Sequence, residues 1–284
     1  MSDDLVVLPG ATEWFVGQFR WPNSVMYHYT SRDAFEKILA TRRMRAMDLR
    51  TMNDPRELAH GKALIDKRMV KAARRFRHTP AERWLRGIRR LFDDLIVRRS
   101  SAFAISLSEH PDMANQWGNY AAQGTGFVLG WSIDSSYPGT PLKTWVTYDR
   151  PKQTSLIDGL IEFHASALLR ELGESLWMRA GYSLFRFLNP VWLTFKEPKW
   201  SNEAEFRYVY NVFDEHLPDW CTIKTRPENG RRYIEADFGP AELKYVGIGP
   251  KNEPRSTRRW VEQLLDRHHF HGVHVSQSTV SLDD

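Results

Sequence analysis

Glu203 and Glu205 stand two residues apart in the segment Trp200 to Tyr210, which begins as a turn and continues as a strand. Phe206, Tyr208 and Tyr210 alternate with Arg207 and Val209, the period-two pattern of a β-strand. Side chains two apart on a strand share a face, so both carboxylates are expected to meet one cleft. Paired carboxylates in a cleft serve acid–base chemistry or stabilise a developing cation. Arg207 belongs to the same face and offers the competing arrangement, an ion pair that neutralises one glutamate.

Three other islands carry reactive side chains at strand ends or in the loops that follow. They are Tyr27-His28-Tyr29-Thr30-Ser31, Asn53-Asp54-Pro55-Arg56-Glu57, and Ser106-Leu107-Ser108-Glu109 with Asn115 to Tyr120. Each has a plainer reading. A histidine between strand tyrosines is often a satisfied core residue, Asn-Asp-Pro a capped turn, and Ser-x-Ser the polar face of a strand. A Glu-x-Glu-x-Arg run is often a surface ion-pair network. Together, in chain order, they suggest one site. The histidines 268, 269, 271 and 274 lack a carboxylate or cysteine at matching spacing, so no metal is expected. Gly247-Ile248-Gly249-Pro250 lacks the spacing of a dinucleotide fingerprint.

The elements that must position these residues follow from hydrophobic periodicity. Strands are expected at Val25–Thr30, Ser101–Ser108, Gly126–Trp131, Lys143–Tyr148, Val191–Lys196, Ala204–Val212, Arg232–Ala236, Leu243–Ile248 and Val273–Val275. The strand at Val191–Lys196 is expected to form a hairpin with the one at Ala204–Val212. Helices are expected after Thr30 or Ser31 as cap, over 56–98 with a break at Thr79-Pro80, at Met113–Ala122, over 154–187, and at Pro254–His268. Strands come both adjacent and separated by helices, which predicts an α+β fold with a mixed, mostly antiparallel sheet and flanking helices. Residues 1–24 read as a lead-in, with Trp14, Phe15, Phe19 and Trp21 available to pack. Residues 25–284 read as one domain, with a helical insertion at about 56–100.

The chain has 284 residues, 42% hydrophobic and 13% aromatic, which is too apolar for disorder and enough for a sizeable core. A single cysteine, Cys221, allows no disulfide framework and points to a reducing, cytoplasmic compartment. No apolar run reaches the roughly 20 residues of a membrane span, and Leu5–Leu8 is too short for a signal peptide. The net charge of +5 favours an anionic partner. From Asp66 to Arg99 there are 12 Lys/Arg against 4 Asp/Glu, so the excess charge concentrates in the expected insertion. Arg74, Arg75, Arg86, Arg89 and Arg90 are candidate nucleic-acid contacts there. The alternative is a solvated helical face.

Four motifs carry a resemblance to a known family. They are Tyr-His-Tyr-Thr-Ser at 27–31, Asn-Asp-Pro-x-Glu at 53–57, and Phe-x-Ile-Ser-Leu-Ser-Glu at 103–109 with Gln-Trp-x-x-Tyr at 116–120. The fourth is Lys-x-x-x-Trp-x-x-Glu-x-Glu-Phe-Arg at 196–207. In this order, spanning about Tyr27 to Ser276, they resemble the bacterial family catalogued as domain of unknown function 2971. More distantly, a strand His, a Ser-x-Ser strand and a Glu-x-Glu strand are similar to ADP-ribosyltransferases.

That likeness implies a split antiparallel sheet holding NAD in a cleft. Glu205 would face the ribose cation, and Glu203 would orient or deprotonate the acceptor. His28 would bind a ribose hydroxyl. Ser106 and Ser108 would brace the site, with Tyr29, Trp117 or Tyr120 stacking on nicotinamide. Thr30 belongs to the same binding set, and Asn53 and Asp54 to the acceptor side. The pattern departs from the superfamily in two respects. Arg207 lies on the strand face of both glutamates, where it could neutralise one. The strand His belongs to one branch, whereas Ser-x-Ser and Glu-x-Glu belong to another.

Three readings follow. The first is an NAD-dependent ADP-ribosyltransferase acting on nucleic acid or protein, as a toxin or phage-defence effector with a neutralising partner. The second is a non-enzymatic nucleic-acid-binding or regulatory module in which the arginine-rich helices dominate. The third is a metal-dependent nuclease using Asp54, Glu203 and Glu205, against which Lys196 and Arg207 stand.

Overall fold

The computed structural model describes residues 8–16, 25–52, 57–133, 142–170, 174–213, 217–237 and 242–282. Phe19 and Trp21 of the lead-in lie outside them. The chain opens with α1 (Ala11–Val16), β1 (Val25–Thr30), α2 (Arg32–Thr41) and β2 (Arg43–Asp48). Next come α3 (Glu57–Arg75) and α4 (Pro80–Leu91), a π-helical turn at Phe92–Arg98, β3 (Ser100–Ser108), α5 (Ala114–Tyr120) and β4 (Phe127–Ser132). The middle of the chain is β5 (Leu142–Trp145), α6 (Arg150–Arg170) and α7 (Glu174–Trp192). A 3-10 turn at Pro198–Glu203 then leads into β6 (Glu205–Phe213). The chain ends with β7 (Lys224–Thr225), β8 (Arg232–Asp237), β9 (Leu243–Ile248), α8 (Pro254–Arg267) and β10 (His274–Gln277).

The expected α+β class and mostly antiparallel sheet are what the chain forms. β10 joins β9 in parallel, and the other strand pairs described are antiparallel. β3 organises the sheet. One of its edges is paired with β6 along its whole length, from Ser100↔Phe213 to Ser108↔Glu205. Its other edge is divided. β2 takes Phe103 and Ala104, through Asp48 and Met47, and β1 takes only Ser108, through Tyr27. β1 carries β4, β9 and β10 away to one side, and β2 carries β8 and β7 to the other. The sheet therefore forks beside residues 105–107 of β3.

Period-two alternation decides which residues meet the fork. Ala102 and Ala104 of β3 and Val209 of β6 pack into a core made with α3, α4, α6 and α7. Phe103, Ile105, Leu107, Phe206, Tyr208 and Tyr210 face the opposite core, under α2 and α8. Ser106 and Ser108 continue the first face of β3, and Glu205 and Arg207 continue that of β6. The register seats Ser106 opposite Arg207 and Ser108 opposite Glu205. Both cores are rich in fully buried Leu, Phe and Ile, each stabilising by about 1.5–3 kcal/mol relative to exposure. They hold the polar face rigid between them.

α2 bridges the two arms of the fork. Ser31 accepts the Ala34 N–H at 3.4 Å as its N-cap, and the helix ends at Arg42 in the left-handed region, φ 54°. The segment 57–98 breaks at Thr79-Pro80 as expected, because Pro80 opens α4. α3 and α4 share one hydrophobic core with α6 and α7, so they form half of a four-helix layer.

The expected strand at Val191–Lys196 does not form. α7 runs to Trp192, since Val191 and Trp192 are buried in the helical core. Beyond it, Phe195 makes an isolated bridge to Thr147. A hairpin with β6 is excluded because both edges of β6 are already taken, one by β3 and one by β5.

Candidate functional site

The fork opens into a cavity of about 620 Å³. His28 and Thr30 reach it from β1, Ser106 and Ser108 from β3, Tyr120 from α5, Glu203 from the 3-10 turn before β6, and Glu205 from the start of β6. The volume lies in the usual range of small-molecule sites. His28 and Glu205, far apart in the chain, thus meet beside residues 105–107, where β3 has no strand neighbour between β2 and β1 among the described residues.

The two glutamates converge as their spacing suggests, through an unusual joint. Glu203 ends the 3-10 turn, and Ala204 sits in the left-handed region at φ 43°. Both carboxylates accept from one ammonium: Lys196 Nζ lies 2.6 Å from Glu203 Oε2 and 2.6 Å from Glu205 Oε2. Arg207 donates from Nε to Glu205 Oε1 at 2.6 Å and from its terminal nitrogen to Glu205 Oε2 at 3.0 Å. It also donates to Glu57 and, at 2.8 Å, to the Leu193 carbonyl. Tyr120 donates to Glu203 Oε1 at 2.8 Å, and the Tyr148 hydroxyl accepts the Glu205 N–H at 3.2 Å. Arg207 is 0% exposed, and Lys196, Glu203, Glu205 and Glu57 are all buried.

Three carboxylates face two cations in this network, a formal balance of −1. Burial opposes ionisation of Glu205, but Arg207 and then Lys196 outweigh it and hold the carboxyl down at about 2. Burial also works against the Lys196 charge. The Glu205 carboxylate above all, with Glu57 and Glu203, overcomes burial and the neighbouring Arg207, so the ammonium stays protonated well above the ordinary lysine range. Burial and the adjacent Glu203 carboxylate push the Tyr120 phenol up, so it remains a donor.

His28 sits in the throat of the fork. Its Nδ1 lies 3.1 Å from the Ser106 carbonyl oxygen, which can only accept, so the ring proton is on Nδ1. Burial pushes the imidazole down, against the raising effect of that bond, and keeps it neutral. Nε2 is then a lone-pair acceptor. Ser106 Oγ is buried with no hydrogen-bond partner among the described residues. Ser108 is occupied: its Oγ donates to the Glu203 carbonyl at 3.2 Å and accepts the His110 N–H at 3.3 Å. It therefore braces the turn that delivers Glu203.

Tyr29 borders the cavity, but its hydroxyl donates to the His110 carbonyl and accepts the Met113 N–H. Its ring meets Trp117 edge-on at 5.0 Å. Trp117 does not reach the cavity. It is 0% exposed and donates to Asp112 at 2.6 Å, so it shapes α5 and is not positioned to stack on a ligand. Tyr120 is the aromatic of that helix that lines the cavity.

The arginine candidates lie elsewhere. Arg74, Arg75, Arg86, Arg89 and Arg90 are exposed on α3 and α4, outside the fork. Arg86 pairs with Glu82, Arg89 with Asp66 and Arg75 with Glu162. Arg75 also borders a shallow depression of about 660 Å³ on the helical layer, beside Asp158 and Glu162. Much of this positive charge is therefore matched locally. Asn53 and Asp54 lie outside the described residues. Among the described residues, no group of three or more His, Cys, Asp or Glu side chains is arranged to hold a metal ion. In the fork, Lys196 Nζ takes the position between the carboxylates that a divalent cation would need. No helix among the described residues is long and apolar enough to cross a membrane.

Tyr148 is a site residue that the sequence did not single out, and Glu57 and Lys196, each within a motif, take positions it did not assign: Glu57 pairs with Arg207, and Lys196 joins Glu203 and Glu205. Glu57 belongs to the Asn-Asp-Pro-x-Glu island, which was the available signal. Nothing local marks its partner Arg207, 150 positions away.

No curated protein and no solved structure matches this chain. A family model matches from the start of the Gln116-Trp117 motif to the middle of β6, so Tyr120, Lys196, Glu203, Glu205 and Arg207 fall inside it, while His28, Ser106 and Ser108 precede it. Residues 116–208 of the chain match the model of the family described as Protein of unknown function (DUF2971), the family that the four motifs resemble.

Proposed function

We propose that the fork binds NAD and that the protein transfers ADP-ribose from it to an acceptor. The observation that carries this reading is the convergence of His28, Ser106 and Glu205, from three strands, on one cavity. NAD fits the donor set. Ser106 Oγ offers an unused hydroxyl and His28 an acceptor nitrogen, both suited to ribose hydroxyls. When bound, NAD supplies a glycosidic bond whose cleavage releases nicotinamide and leaves positive charge on the ribose carbon.

The protein's own groups are arranged for that charge. Glu205 is held ionised and fixed by Arg207 and Lys196, so it need not reorganise as a cation develops. The network's balance of −1 favours a cation over a neutral guest. Lys196 and Tyr120 hold the two oxygens of Glu203, orienting it to take a proton from an acceptor nucleophile. His28 accepts from a ribose hydroxyl through Nε2. Purified protein is expected to release nicotinamide from NAD. Glu205→Gln should reduce the rate by about 10²–10³-fold or more while the thermal melt stays cooperative. Wild-type protein that neither binds nor turns over NAD in the presence of protein and nucleic-acid acceptors would exclude the reading.

A further inference from the structure

The fork has two chemically different walls. The wall at β6 carries the carboxylates. The wall formed by β2, β8 and the β7–β8 turn carries Arg45, Arg226 and Arg231, with Arg43 and Lys37 at the rim. The register Met47↔Ala104, continued two residues along each strand, sets Arg45 level with Ser106 across the gap that opens where β2 leaves β3. Arg226 and Arg231 are brought together at the base of a tight turn. The Arg226 N–H donates to the Arg231 carbonyl at 2.9 Å, the Gly230 N–H donates to the Arg226 carbonyl at 2.9 Å, and Gly230 has φ 68°.

Two observations show that this wall is under-compensated. Arg226 Nε is buried with no hydrogen-bond partner among the described residues, although it carries part of a permanent positive charge. Glu235, cross-strand from Arg45, is bound to Lys224 at 2.6 Å, so this one carboxylate is shared among Lys224, Arg45 and Arg43. Asp33 and Glu228 also border the cavity, so five cations share it with three anions on this side. Arg45 lies 4.6 Å over the Tyr233 ring, which fixes its guanidinium without neutralising it.

We propose that this wall is an anion subsite, with Arg45, Arg226 and Arg231 as its binding residues, and that the ligand of the fork bears phosphate groups there. Guanidinium groups match phosphate oxygens in planar, paired hydrogen bonds. The proposal rests on the fork being a ligand site, and it orients the ligand: phosphates lie against β2 and β8, and the reacting end lies against Glu205 and Lys196.

Calorimetric titration with ADP tests it, using full-length wild-type protein, Arg226→Gln, Arg231→Gln, and Arg259→Gln on the exposed face of α8 as a charge-matched control. ADP is expected to bind wild type and the control alike, more weakly as salt rises. Each fork variant should bind about tenfold more weakly or worse, with an unchanged melting temperature. Inorganic pyrophosphate should compete. No ADP binding by wild type, or equal binding by folded fork variants, overturns the subsite. Nicotinamide release, followed in parallel, separates the two proposals. ADP binding that depends on Arg226 without NAD turnover supports the subsite and removes the transfer reaction. Turnover that is indifferent to Arg226 and Arg231 does the reverse.

Discussion

Lys196 is the residue on which the site turns. It is the shared donor to Glu203 and Glu205, so removing it leaves Arg207 as the one cation of the network facing its three buried carboxylates, with Glu203 held by the Tyr120 hydroxyl. Breaking a buried pair from one side typically costs about 3–5 kcal/mol. Lys196→Met is therefore expected to lower unfolding free energy by about that amount in a urea titration. A loss below about 1 kcal/mol would mean that the carboxylates find other partners.

His164 makes a second buried test, away from the fork. Its Nδ1 donates to the Leu160 carbonyl at 2.7 Å, and its Nε2 accepts from Ser183 at 2.8 Å. Ser183 in turn accepts the Leu8 N–H, tying the segment before α1 to α6 and α7. Burial, only partly offset by the Leu160 bond, pulls the imidazole down to about 4. The folded state thus favours the neutral form. Its contribution is whole above the unfolded value near 6.5 and is lost as pH falls from there towards 4. The loss is on the order of 3 kcal/mol relative to His164→Gln. Urea titrations of both proteins at pH 7, 5.5 and 4.5 check this, and parallel curves would refute it.

Elements set these residues, and close backbone approach is what lets them. Gly61 lies on the buried face of α3, one turn beyond Glu57, and a Cβ there would stand 2.5 Å from the Trp192 carbonyl oxygen. The absence of a side chain lets α3 press on the end of α7 and bring Glu57 to Arg207. Gly61→Ala must push the two helices apart. It is expected to destabilise by about 1–3 kcal/mol despite alanine's better helix propensity, measured as a lower melting temperature. An unchanged or raised melting temperature would show that the helices do not need this contact.

Much of this arrangement was legible in the sequence and some was not. The alternation Phe206, Tyr208, Tyr210 gave β6 and its faces, because both faces of that strand are buried and differ in chemistry. β2 was missed: Arg43-Met44-Arg45-Ala46-Met47-Asp48 does alternate, but its outward residues are arginines that line a cleft, a composition poor in strand formers. Val191–Lys196 reads as a strand because valine, tryptophan and phenylalanine suit one equally well. Tertiary packing into the helical core decided for helix through Trp192. Trp117 reads as a stacking residue from its place in the motif, and only the position of Asp112 shows that it is tied inward. The Glu203–Glu205 pair was visible. Lys196 was visible beside them in the same motif, but its place between the two carboxylates was not, because spacing along a chain does not report which charge fills the gap between two others.

At the scale of the molecule, the sheet's fork and the two cores have separate tasks. The helical layer and the α2/α8 layer clamp β3 and β6, and the fork leaves residues 105–107 of β3 without a strand neighbour on one edge among the described residues. The net charge of +5 divides unevenly between surfaces. On α3 and α4, Arg75, Arg86 and Arg89 are matched by Glu162, Glu82 and Asp66, whereas the fork's cationic wall has a buried guanidinium nitrogen, Arg226 Nε, with no hydrogen-bond partner among the described residues. Concentrated positive charge along the sequence is therefore a poor guide to where unmatched positive charge lies among the described residues.

We propose that the fork cleaves NAD by presenting a fixed, ionised Glu205 to the ribose. Nicotinamide release from NAD, followed for wild type and Glu205→Gln at equal concentration of folded protein, tests it most directly. Wild type is expected to release nicotinamide, and the variant to lose about 10²–10³-fold or more of that rate. Release that is equal in the two proteins, or absent from wild type across protein and nucleic-acid acceptors, would contradict it.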